Sequence, residues 1–271
     1  MSWKINQISI PVFDLDLSKK FYKYLLCNDL DDKQKTQDTS DECFILGGDI
    51  ELRLFKLKTD SFTDSILQSR RTYPTLALSS YDSLKNILIE EGITYLDNKK
   101  KNSIIIQEPG LNYIELSDIK TDIIFNKNDI ESKWNFHHIN LECYDVRASV
   151  NFIKKYLKIK EGSWKAPAEL GKVNISPNQL AIFNLNNNHS GIHINKADLT
   201  FSWRNNFLHN PTIGGHPAFS VKDIGFLLEN LKENDITFTN AGVYAMPNIH
   251  QVYLYDPNAN IIEINQNILK F

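Results

Sequence analysis

The chain has 271 residues, with 30 basic and 33 acidic side chains and a formal net charge of −3. That length suits two domains of about 100–150 residues, and the charge balance excludes the electrostatic footprint of a nucleic-acid or acidic-lipid binder. No apolar run reaches the roughly 20 residues that span a bilayer and the opening residues carry no leader pattern, so a cytoplasmic protein is expected. Cys27, Cys43 and Cys143 lack CxxC spacing and read as reduced thiols.

In chain order, four segments share one shape: Gln7 to Asp14, Thr75 to Asp82, His138 to Asp145 and His216 to Asp223. Each begins with a polar residue, alternates as a strand does, and reaches an Asp seven positions later, where a carboxylate can start a helix. Amphipathic helices follow, through Phe21 and Leu25, through Leu84, Ile87 and Ile89, through Val150, Ile153 and Leu157, and through Phe226, Leu227 and Leu231. Strand-like runs come next, among them Cys43-Phe-Ile-Leu, Ile50-Glu-Leu-Arg-Leu-Phe, Ser103-Ile-Ile-Ile-Gln, Gln179-Leu-Ala-Ile-Phe, Gly191-Ile-His-Ile and Gln251-Val-Tyr-Leu-Tyr. The unit is strand, helix and about three strands, written four times.

Units two and four end alike. Glu108-Pro-Gly-Leu-Asn-Tyr-Ile-Glu115 parallels Asp256-Pro-Asn-Ala-Asn-Ile-Ile-Glu263, a turn leading into an apolar strand with one Glu. The chain thus divides into homologous halves, 1–127 and 128–271, joined through the polar stretch between Asp118 and Lys133.

Four such units, with Gln or His opening the first strand and Glu on the last, resemble the vicinal oxygen chelate superfamily, which includes lactoylglutathione lyase, methylmalonyl-CoA epimerase, bleomycin and fosfomycin resistance proteins and type I extradiol dioxygenases. The resemblance implies an α+β fold of four βαβββ modules paired into two glyoxalase-like, cup-shaped half-barrels, with a metal inside. It implies metal ligands His138, His216 and Glu263, with His193 in the place of a fourth. Such donors suit a divalent ion, Fe(II) first and Mn, Ni, Co or Zn as alternatives. The N-terminal half fills the same slots with Gln7, Glu51, Thr75 and Glu115, and Thr75 is a poor ligand for a transition ion, so this half reads as a degenerate copy.

Three functions stay open. Two fused domains with the metal in the second resemble the extradiol dioxygenases, in which a Tyr lies ten residues before the ligand Glu; Tyr253 holds that place. Phe201 stands where their acid–base His is expected, which leaves His189 or His209 to take the role, and a fourth ligand at His193 fits the isomerases and lyases instead. A metal-free, ligand-sequestering protein is the third reading. His209 lies in a segment, Asn205 to Gly215, whose Trp203, Arg204 and Phe207 neighbourhood could cover the cup. His250 is a candidate partner behind a ligand, and His137, next to His138, should face the other side of its strand. The expected partner is a small-molecule substrate chelating through two oxygens; a homo-oligomer is the one macromolecular assembly left open.

Overall fold

The apolar residues of the first strand change parity midway. Trp3 and Ile5 occupy odd positions and Ile8, Ile10 and Val12 even ones, with Asn6-Gln7 between. The ninth strand repeats this: Trp134 and Phe136 give way to Ile139, Leu141 and Cys143 across His137-His138. Because alternate side chains of a strand take opposite faces, one extra residue is needed to keep all of these apolar groups on one side.

The computed structural model describes residues 2–27, 36–48, 50–58, 69–98, 101–119, 133–165, 175–185 and 189–269. The first unit is β1 (Trp3–Val12), α1 (Leu15–Cys27), β2 (Thr36–Asp38), β3 (Glu42–Gly47) and β4 (Ile50–Lys56). The second is β5 (Tyr73–Leu78), α2 (Tyr81–Glu90), β6 (Tyr95–Asn98), β7 (Ser103–Gln107) and β8 (Tyr113–Asp118). The third is β9 (Trp134–Cys143), α3 (Val146–Phe152), continued by a π-helical turn over Ile153–Leu157, β10 (Leu180–Asn184) and β11 (Gly191–Lys196). A short helix, α4 (Phe201–Asn205), precedes the fourth: β12 (His216–Val221), α5 (Ile224–Glu233), β13 (Phe238–Val243), β14 (Ile249–Tyr255) and β15 (Ile261–Asn267).

The expected unit is therefore present, although among the described residues the third copy shows two strands after its helix. The expected boundary at 127/128 lies outside the described residues. No described helix is long and apolar enough to cross a membrane.

Each half is one mixed sheet, in the orders β2-β3-β4-β1-β5-β8-β7-β6 and β10-β11-β9-β12-β15-β14-β13. The two first strands of a half pair antiparallel at its centre, and each is flanked by the parallel last strand of its own unit. The parity change is a β-bulge in both halves. The register skips Asn6 between the pairs Ile5↔Leu76 and Gln7↔Thr75, and skips His137 between Phe136↔Phe219 and His138↔Ala218.

Helices cover one face of each sheet. α5 buries Ile224, Leu227 and Leu231, and α2 buries Tyr81, Leu84 and Leu88, in both cases at helical spacing. Each fully buried Leu or Ile contributes about 1.5–3 kcal/mol by leaving water. Asp14, Asp145 and Asp223 cap their helices as expected, accepting from the amides of Leu17, Arg147 with Ala148, and Phe226 at 2.9–3.0 Å. Asp82 does not; it lies in the first turn of α2, and Ser80 holds the N-cap position.

That exception exposes a two-residue error in the expected alignment of the second unit. Thr75 pairs with Gln7 and Glu115, whereas the residue paired with His138 and Glu263 is Ala218. The counterpart of His216, which pairs with Asn140, is Tyr73, which pairs with Ser9. The dipeptides Tyr73-Pro74 and His216-Pro217 mark this equivalence in the sequence.

The halves hold each other through their matching turns. Asn112 donates to the Glu142 carbonyl at 2.8 Å, and Asn260 donates to the Pro11 carbonyl at 2.9 Å. Each turn is braced by its own carboxylate, Glu108 or Asp256, which accepts from the Asn112 or Asn260 amide. Trp134, fully buried, lies against Gly47 of the other half, where a Cβ would meet its ring at 2.2 Å.

Candidate metal centre

On the face away from the helices, strand alternation puts His138 and Asn140 of β9, His193 of β11, His216 of β12, Gln251 and Tyr253 of β14, and Glu263 of β15 around a cavity of about 1050 Å³. His138, His216 and Glu263 converge, with one ligand atom from each lying within 4.8 Å of the others, and all three are buried. Oε2 of Glu263 lies 3.6 Å from His138 Nε2 and 3.5 Å from His216 Nε2. Neither ring nitrogen of His216 makes a hydrogen bond although both are buried.

Burial, then the neighbouring imidazoles of His193, His137 and His216, holds His138 well below its ordinary pKa, so it is a neutral lone-pair donor. Burial works to raise the Glu263 carboxyl, but the nearby His216 imidazole and the Asn265 amide outweigh it and hold the group below its usual range. Two imidazoles, one of them His216 with both ring nitrogens buried and unpartnered, and one carboxylate are a donor set that a divalent transition ion would complete.

Tyr253 faces the centre. It pairs directly with Glu263, and its ring meets that of His216 edge-on at 5.7 Å. The Gln251 amide donates to the Tyr253 hydroxyl at 2.8 Å and to Glu263 Oε2 at 3.1 Å. Burial and then the Glu263 charge push the Tyr253 phenol well up, so it keeps its proton and can donate it. Asn265 donates to the other carboxylate oxygen at 2.8 Å.

The other candidate residues sit outside the converging set. His193 is not among the converging ligands; its ring stacks on His138 at 3.9 Å and 18°, and its Nε2 donates to the His189 carbonyl at 2.7 Å. His209 does not line the cavity: its Nδ1 lies 2.8 Å from Thr239 Oγ1 and its ring packs against Tyr255 at 4.7 Å. His250 is on the opposite face of β14 from Gln251 and Tyr253, with Nε2 2.6 Å from Asn240 Oδ1. His137 does not face away, because the bulge breaks alternation there and brings its Nδ1 to 2.8 Å from His138 Nδ1.

Of the crossover segment, Phe201 and Arg204 line the cavity, Phe207 packs on Tyr244 and Tyr253 at 5.2 and 6.4 Å, and Trp203 is 83% exposed. Asn140, Gln251 and Asn265 escaped the sequence reading, yet each lies two residues from a residue singled out there and so on the same face.

The equivalent space in the N-terminal half is filled. Arg53, which pairs with Ser9 as His193 pairs with Asn140, forms an ion pair with Glu42 and donates to the Tyr73 hydroxyl at 3.0 Å. Gln7 donates to Glu51, and Glu115 accepts from Thr75 at 3.0 Å and from Ser103. Among the described residues no second group of potential metal ligands converges.

No family model matches the chain, and no curated protein matches it in sequence. Among solved structures, a catechol 2,3-dioxygenase has a TM-score of 0.62 at 13% identity, over 97% of this chain and 87% of that one. A variant of homoprotocatechuate 2,3-dioxygenase from B. fuscum has a TM-score of 0.63 at 14% identity, over 97% and 70%. A Mn(II)-bound glyoxalase from Novosphingobium aromaticivorans has a TM-score of 0.59 at 13% identity, over 98% and 82%. The chain shares the tandem fold of these proteins, which is the fold expected from the resemblance to the vicinal oxygen chelate superfamily.

Proposed function

We propose that the C-terminal half is a divalent-metal enzyme of the vicinal oxygen chelate type, acting on a small substrate that chelates through two adjacent oxygens, and that its reaction is extradiol-type ring cleavage by dioxygen. The observation that carries this reading is the composition of the converging set. Two His and one carboxylate, with no fourth protein ligand, is the arrangement that leaves positions open on a non-haem Fe(II). His138, His216 and Glu263 would hold the ion, which when bound supplies Lewis acidity and, as Fe(II), redox chemistry with dioxygen.

The chain's own residues do the rest. Tyr253, kept protonated by its buried setting beside Glu263, donates a hydrogen bond to a substrate oxygen. His193 carries its proton on Nε2, committed to the His189 carbonyl, which leaves Nδ1 to accept a hydrogen bond from a substrate hydroxyl. Burial holds its pKa down to about 3, so it is neutral before substrate enters. Asn140, whose buried Oδ1 has no partner, offers a further polar contact. Phe201 and Tyr244 give the cavity an apolar wall for a planar ring and exclude water.

The test is oxygen uptake by anaerobically purified, Fe(II)-loaded protein given a panel of catechols. The reading expects uptake that depends on both iron and catechol. A protein that binds its metal and turns over no catechol sends the assignment to the isomerase and lyase chemistry of the same fold.

A further inference from the structure

We infer that His137 is a positioning residue for the metal centre: its imidazole accepts the Nδ1 proton of His138 and so fixes the tautomer in which His138 presents Nε2 to the ion. The inference rests on the metal site proposed above and adds a residue that is neither a ligand nor a cavity wall.

In a regular strand His137 would point to the opposite face from His138. The extra residue in β9 cancels that alternation, and the two rings lie with centroids 5.1 Å apart, at 77°. The N-terminal half has the same bulge at Asn6, so the bulge belongs to the architecture, while an imidazole in it belongs to the half that holds the histidine pair.

The contact itself is Nδ1 to Nδ1 at 2.8 Å, a hydrogen-bond distance. One of the two nitrogens must carry the proton and the other must accept it. His138 Nε2 is the nitrogen that faces Glu263 Oε2 and the rest of the converging set. A ligating Nε2 needs its lone pair, so the proton of neutral His138 sits on Nδ1 and is donated to His137 Nδ1; His137 then carries its own proton on Nε2. A carboxylate, backbone carbonyl or water usually takes the far N–H of a ligating histidine, orienting the ring and raising its basicity. Here a second imidazole does so.

The experiment uses the full chain freed of metal. Co(II) affinity is measured by calorimetry for the parent, His137→Phe and His137→Asn, since the Asn carbonyl can replace Nδ1 as acceptor and Phe cannot. Losing the acceptor is expected to weaken Co(II) binding by about 10–100-fold, and His137→Asn is expected to recover most of that. A His137→Phe protein that binds within about threefold of the parent, or a folded His137→Asn protein as weak as His137→Phe, overturns the inference.

Nitrogen-15 spectra of the Zn(II)-bound parent give a reading that needs no variant to fold. They should find His137 as the Nε2–H tautomer; finding it as Nδ1–H overturns the inference. A parent that binds no Co(II), or a His216→Ala variant that binds it as tightly as the parent, would instead remove the metal site on which the inference stands.

Discussion

Tyr73 occupies in the N-terminal half the place that His216 occupies in the C-terminal half, each paired across the central strands two residues beyond Gln7 or His138. Tyr73 accepts there from Arg53, whose guanidinium is also paired with Glu42. A fixed cation beside a would-be ligand slot repels a divalent ion and uses up the acceptors. Equilibrium dialysis against Co(II) should therefore give one ion per chain, and His216→Ala should abolish it. Two ions per chain, or one retained after that substitution, contradicts this.

Gly215 fixes where His216 begins. Its φ is +71°, and a Cβ would meet the Asn140 carbonyl oxygen at 2.7 Å, whereas a Cβ on neighbouring Gly214, also at positive φ, would meet nothing within 4 Å. Gly214→Ala should cost only backbone strain, about 1–2 kcal/mol, with Co(II) affinity kept. Gly215→Ala should cost more and weaken Co(II) binding at least tenfold, because β12 must move off β9 and take His216 with it. Urea unfolding and calorimetry on both proteins give the comparison; equal Co(II) affinity would sink it.

The reciprocal bonds of Asn112 and Asn260 predict a symmetric loss. Replacing either with Ala removes a hydrogen bond to a backbone carbonyl of the other half and the side-chain bond to its own turn's carboxylate, which should cost about 1–3 kcal/mol. The turns share no partners, so the double variant should lose about the sum in urea unfolding. A neutral result for both single variants would mean that the turns do not hold the halves together.

His209 predicts a pH dependence away from the metal. Thr239 Oγ1 accepts from the amides of Leu208 and His209, so its own proton goes to His209 Nδ1, and burial lowers the imidazole pKa from its ordinary 6.5. The folded state then binds fewer protons than the unfolded one below that value, so this contribution to stability is present above about pH 6.5 and is lost as pH falls through the folded pKa. Urea midpoints should drop between pH 7 and pH 5, less steeply for His209→Phe. Parallel profiles for the two proteins would refute the assignment.

The fold was legible because its signal is repeated: four strand-to-helix starts and two matching turns. The converging residues were legible because His138 and His216 occupy one slot in two copies, with Glu263 after the repeated turn. Three things were harder to read. The bulge at His137 shows only as a parity change among Trp134, Phe136, Ile139 and Leu141, and single-residue shifts invert every facing assignment that ignores them. Aligning the second unit on Asp82 rather than on Pro74 put Thr75 in the place of Tyr73. His193 sits on the right face at the right depth, but whether a ring converges or stacks is set by side-chain rotation and by the His189 carbonyl, which periodicity does not report.

The position of a bound metal is the most direct test. Crystals of the protein grown anaerobically with Fe(II), measured at the iron absorption edge, should give one anomalous peak per chain, bounded by His138, His216 and Glu263, with His193 outside its coordination sphere. A peak beside Arg53 and Tyr73, a peak ligated by His193, or no peak among the three residues in iron-loaded crystals would contradict it.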